Sequence, residues 1–150
     1  MEGDTIMFDF LFSSKNEKLV KKWHKEHEAI VELAHKVIGE YSKNNHEHAK
    51  HYLKELNSLA VDHVMDEDIQ LFKLTHDEKG IDYDTEVMVD DFIKSFKKTK
   101  LALMNFLSKY SKDDTPLDEE FYTQFNEIVE VLGERINFEE KNVYSKLKEK

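Results

Sequence analysis

Five residues of this chain combine chemistry with helical spacing. His63 and Glu67 stand four apart, His27 lies in an upstream apolar seam, and Arg135 and Glu139 continue the seam of Phe121, Phe125, Ile128 and Leu132. Steps of three and four residues keep a side chain on one face of an α-helix, the face a bundle buries. Imidazole nitrogens and carboxylate oxygens are hydrogen-bonding groups and metal donors, whereas a guanidinium is a permanent cation with no lone pair to give. Buried charges are costly unless paired or bound to an ion. His27, His63, Glu67, Arg135 and Glu139 are therefore the candidate core polar cluster, and what neutralises Glu67 and Glu139 is its functional question.

Four helices must position them. The first is expected from Glu17 to Ser42 with the seam Val20, Trp23, His27, Ile30, Ala34, Val37 and Tyr41. The second runs from His46 to Thr75 with Tyr52, Leu56, Leu59, His63, Glu67, Gln70 or Leu71, and Leu74 inward. After a break around Gly80, the third spans Thr85 to Tyr110 with Val89, Phe92 or Ile93, Phe96, Thr99, Leu103, Phe106 or Leu107, and Tyr110 facing in. The fourth runs from Phe121 to Leu147; Thr115 suits its N-cap, Pro116 a first helical position, and Asp118 and Glu119 the positive end of its dipole. Short connections make successive helices antiparallel neighbours, so the expected fold is all-α, an up-down-up-down antiparallel four-helix bundle. Counting from each loop puts the five polar residues in one layer.

The 150 residues fit a single domain, 1–150, preceded within it by an N-terminal arm over 1–15. Phe8, Phe10, Leu11 and Phe12 of that arm need cover, from their own bundle or from a partner. The arm's apolar patch is too short, and too acidic in front, for a signal peptide or a membrane span. A net charge of −10 argues against nucleic acid and against anionic membranes, leaving protein or small-ligand partners. With no Cys, disulfides and thiolate metal sites are excluded, and a cytoplasmic location fits. No Ser lies beside a seam His and no Gly-rich phosphate loop occurs, so nucleophilic catalysis has no support. His24 reads as an outer contact at the seam's edge. His46, His48 and His51 read as a solvated helix end, although Glu47 and His51 have the spacing of a surface cation site. Lys94, Lys97, Lys98 and Lys100 read as a solvated face.

Three runs carry a family resemblance: Trp23-His24-Lys25-Glu26-His27-Glu28, His63-Val64-Met65-Asp66-Glu67-Asp68 with Leu71-Phe72, and Ile136-Asn137-Phe138-Glu139-Glu140 with Val143-Tyr144. In these the chain resembles the hemerythrin-like (HHE cation-binding) family, from about Leu19 to Leu147. The resemblance implies a bundle holding two irons and binding oxygen, nitric oxide or iron status signals. It places ligands at His27, His63, Glu67 and Glu139. It also implies a histidine where Arg135 stands, and another on the third helix where Phe92 or Asp91 stands. A fainter likeness, in Lys18-Leu19-Val20-Lys21-Lys22-Trp23 and in 131–141, is to the regulator of sigma D family, metal-free bundles that bind the primary sigma factor of RNA polymerase.

Three occupancies of the layer follow. In a metal-free network Arg135 forks to Glu67 and Glu139 while His27 and His63 complete the hydrogen bonding. Two His and two Glu alternatively hold one ion of iron, manganese or zinc. Two irons would need substitute ligands, Asp91 or Asp66. The first is the favoured expectation. It gives a non-enzymatic regulatory protein on a bundle with an eroded metal site, acting through contacts with a protein partner such as a transcription component. The alternative is an iron-binding sensor or carrier of O2 or NO; a diiron redox enzyme comes third. A homodimer fits either, and no direct nucleic-acid or membrane partner is expected.

Overall fold

Four apolar seams with few breakers produce four long helices in the computed structural model, which describes residues 15–76 and 82–148. The helices are α1 (Lys15–Ser42), α2 (His46–His76), α3 (Tyr83–Tyr110) and α4 (Glu119–Phe138); α4 passes through a π-helical turn (Glu139–Val143) into a short α5 (Tyr144–Lys148). The arm with Phe8, Phe10, Leu11 and Phe12 lies outside the described residues, as does the connection around Gly80.

The topology follows from paired residues. Trp23 meets Asp66 and His27 meets His63, so α1 and α2 run in opposite directions. Asp68 pairs with Lys100 while Lys50 reaches the carbonyl of Tyr110, which turns α3 against α2. Phe92 stacks on Phe138 and Phe106 on Phe121, which turns α4 against α3. Tyr41 on Phe121 and Trp23 on Tyr144 close the ring back to α1. The result is an all-α, up-down-up-down bundle, and none of its described helices is long and apolar enough to cross a membrane.

The connections are built by local chemistry. After α1, Asn44 takes φ 64°, while its amide donates to Tyr41 O at 2.9 Å and the Asn45 amide to Glu40 O at 2.9 Å. That is a Schellman motif with asparagine in the left-handed position. Asp82 caps α3 by accepting from the Thr85 amide at 2.7 Å. The cap of α4 corrects the expectation of Thr115 and Pro116: Asp118 accepts from the Phe121 amide at 2.8 Å, and the helix begins at Glu119. Thr115 instead belongs to the loop, its carbonyl accepting from Lys50 Nζ at 2.5 Å together with those of Tyr110 and Lys112. One half-buried ammonium thus satisfies three carbonyls, and a carboxylate three residues before Phe121 is the better cap.

Two apolar clusters fill the interior. One, at the end bearing the α1–α2 and α3–α4 connections, includes Ile30, Val37, Leu53, Leu56, Leu107, Phe121 and Phe125. The other holds Val20, Trp23, Leu71, Val89, Phe92, Val143, Tyr144 and Leu147. On α2 the buried line is Ala49, Leu53, Leu56, Ala60, His63, Glu67 and Leu71, while Tyr52 and Leu59, expected inward, are half-buried. Leu56, His63, Glu67 and Leu71 face in as expected; at the other two steps Leu53 and Ala60, the next residues along, take the buried place.

Candidate metal centre

Between the apolar clusters lies a polar layer. His27 from α1, His63 and Glu67 from α2 and Glu139 from the π turn are each 3–5% exposed. One donor atom of each lies within 4.8 Å of all the others. His27 Nε2 is 3.0 Å from His63 Nε2 and 3.0 Å from Glu139 Oε1, and His63 Nε2 is 3.4 Å from Glu67 Oε2. A cavity of about 40 Å³, room for roughly one water-sized particle, borders all four.

Arg135 does not fork to the acids. Its Nη2 donates to Phe92 O at 3.2 Å and to Ser95 Oγ at 3.2 Å, and its guanidinium lies over the rings of Phe92 and Phe96 at 4.5 and 4.9 Å. It is half-buried and lines the same cavity. Among the described residues no lysine or arginine forms an ion pair with Glu67 or Glu139. The physical reason is local: two aromatic faces, the Phe92 carbonyl and the Ser95 hydroxyl on α3 bind a planar cation without removing it wholly from water.

Tyr144 does what Arg135 was expected to do. Its hydroxyl donates to Glu67 Oε2 at 2.7 Å and lies in short contact with Glu139 Oε1. A regular helix carries residues five apart to different faces, but the π turn that starts at Glu139 brings Tyr144 back beneath it. In the sequence Tyr144 stands beside Val143 with no role of its own, and its five-residue spacing from Glu139 was the available signal. Glu26 was missed similarly, although its Oε1 lies 2.7 Å from His63 Nδ1 and orients that ring.

The proposed substitutes are committed elsewhere. Asp66 Oδ2 accepts from Trp23 Nε1 and Lys22 Nζ, both at 3.0 Å, and Asp91 is exposed on α3. His24 is an outer contact, held between Glu140 and Glu28, and His51 pairs at the surface with Glu55 at 3.0 Å. Glu140 also lies 3.6 Å from His27 Nδ1, at the wall of an open groove of about 660 Å³ that exposes one edge of the layer to solvent.

Proton affinities follow from these positions. Burial and the neighbouring His63 push His27 down to about 4. Burial also opposes charging of His63, but its hydrogen bonds to Glu67 and Glu26 and the charges of Glu67 and Glu139 outweigh it, raising His63 to about 9. Burial, with Glu139 alongside, lifts Glu67 to about 7, and burial raises Glu139 as well. The two acids face the His63 imidazolium directly and the Arg135 guanidinium only across the cavity, without a hydrogen bond, and burial still outweighs both charges and favours a proton on them.

Histidines and carboxylates facing one another across a helical bundle are how such bundles build metal sites. The sequence profile of the hemerythrin HHE cation-binding domain matches residues 18–147, and the chain belongs to that family. No curated protein and no solved structure matches the chain. The donor set fits one ion. It does not fit two, because α3 borders the cavity with Phe96 and Leu103, which offer no donor, Arg135 turns to the phenyl rings, and Asp66 is already bonded.

Proposed function

We propose that this chain binds a single transition-metal ion, iron in the first instance, through His27, His63, Glu67 and Glu139, and that it carries or senses a small ligand there. One observation carries the reading: four buried donors converge within 4.8 Å, with no arginine or lysine paired to their acids among the described residues. A divalent ion would bind the two carboxylates directly and offer a position at which a diatomic ligand can be held. Glu26 keeps His63 in place through Nδ1, leaving Nε2 turned toward the other donors. Trp23 and the aliphatic residues on either side exclude water, and the groove beside Glu140 gives solutes access to the layer's edge.

The test is metal content after anaerobic loading with ferrous iron and removal of excess. About one iron per chain, lost in His63→Ala, is the expected result; iron retained by His63→Ala would place the ion elsewhere and refute the assignment.

A second reading, a metal-free regulator acting through protein contacts, has an observation of its own. The layer is internally bonded through Tyr144 and the two histidines, so a protonated form can fold without an ion. Absence of iron uptake together with a melting temperature indifferent to ferrous ion would favour it, and a sigma factor is then the first partner to test.

A further inference from the structure

We propose that two copies of this chain associate through the outer faces of α3 and α4, about a two-fold axis parallel to the bundle, so that α3 of each copy lies against α4 of the other. This surface is separate from the polar layer and does not depend on an ion there.

The two helices leave an opening between them. A groove of about 260 Å³ runs along it, walled by Ala102 and Leu103 from α3 and by Ile128, Val131 and Leu132 from α4. Val131 is 41% exposed, and Phe138, two turns further along the same side of α4, is 43% exposed although one face of its ring stacks on Phe92. An apolar strip thus reaches solvent along the mouth of the groove.

The charges beside this strip select its occupant. Steps of three and four residues from Ala102 put Asp91, Lys94, Lys98 and Lys109 on the flank of α3, and the same steps from Val131 put Glu120, Glu127, Glu134 and Lys141 on that of α4. All eight are exposed. None of Asp91, Lys94, Lys98, Glu127, Glu134 and Lys141 forms an ion pair among the described residues. The antiparallel register, set by Phe92 on Phe138 and Phe106 on Phe121, brings Asp91 near the height of Lys141, Lys98 near Glu134, and Lys109 near Glu120. A two-fold axis along the bundle exchanges the helices and keeps every height. Each charged level of one copy then meets the opposite sign on the other, with Ala102 and Val131 at the centre. An axis across the bundle at the height of Val131 would set α4 on α4 and bring Glu127 to Glu134.

Size fits the same occupant. With 20 residues α4 is about 30 Å long, and two adjacent helices are about 20 Å wide, so the face offers roughly 600 Å² per copy. Two such faces reach the lower end of specific interfaces, and the association expected is reversible.

Sedimentation velocity of the full chain over a dilution series tests the inference. A reversible dimer is expected, weakened about tenfold or more by Lys98→Glu and likewise by Glu134→Lys, because each sets like charges together on both sides of the axis. An equimolar mixture of the two variants should associate at least as tightly as wild type, since each supplies the sign the other lacks. A chain that stays monomeric up to its solubility limit overturns the inference. So does a dimer that neither variant weakens, or a mixture that fails to regain association. If either variant loses its helical circular dichroism, Val131→Asp takes its place: it should abolish the dimer, and a dimer that survives it overturns the assignment.

Discussion

The end of the bundle around Phe121 and the layer around Glu139 are built from the same helices and obey different physics. At the first, Phe106, Tyr110, Phe121 and Phe125 lie with ring centroids 4.8–6.1 Å apart, and burial of apolar area holds them with little directional demand. At the second, four ionisable side chains share too few protons, and each depends on the position and charge of the others. The apolar end should answer to volume and be indifferent to pH and metal. The polar layer should answer to both.

Phe121→Ala tests the apolar end and should have the largest effect. Removing this fully buried ring is expected to cost about 3–5 kcal/mol in urea unfolding, by the same amount at pH 6 and pH 8.5. A cost that changed with pH would mean the two regions are coupled.

The next prediction concerns the layer in chelator-treated protein. His63 is raised from 6.5 to about 9, so below pH 6.5 its bonding stabilises the fold, and that contribution is lost as the pH rises through 9. The whole contribution is at most about 3 kcal/mol. Glu67, raised from 4.5 to about 7, also makes the native state hold the extra proton, so stability falls with rising pH across that interval. His27, lowered to about 4, acts oppositely between pH 4 and 6.5. Glu67 and His27 therefore largely offset each other up to pH 6.5, and the net expectation is a decline between pH 6.5 and 9. Denaturant midpoints that rise over that range would contradict the assigned charges. Bound metal should flatten the decline by replacing the protons.

Arg135→Ala distinguishes a flanking arginine from a forked one. With the guanidinium on Phe92, Phe96 and a carbonyl, the expected loss is about 1–2 kcal/mol. Removing the counter-charge of two buried acids would instead cost roughly 3–5 kcal/mol. The smallest effect belongs to Asp118→Ala, about 1 kcal/mol from loss of the α4 cap, whereas Thr115→Ala should leave α4 nearly unchanged.

The periodicity of polar and apolar residues was enough to count the helices, and their ends on α1, α2 and α3 lie within two residues of expectation. It also picked out His27, His63, Glu67 and Glu139 as inward-facing, because a histidine or acid in an apolar seam has nowhere else to point. Residue spacing carries no information on which neighbour satisfies a buried charge. Arg135 stands in the seam yet turns to the faces of Phe92 and Phe96, a choice made by α3, a helix remote in sequence. Tyr144 lies off the 3.6-residue seam, and only a change of helical pitch returns it to Glu139. Pattern along the chain sets which side of a helix meets the core. Pairing within the layer depends on distances of about 3 Å between four helices, and only their packing decides those.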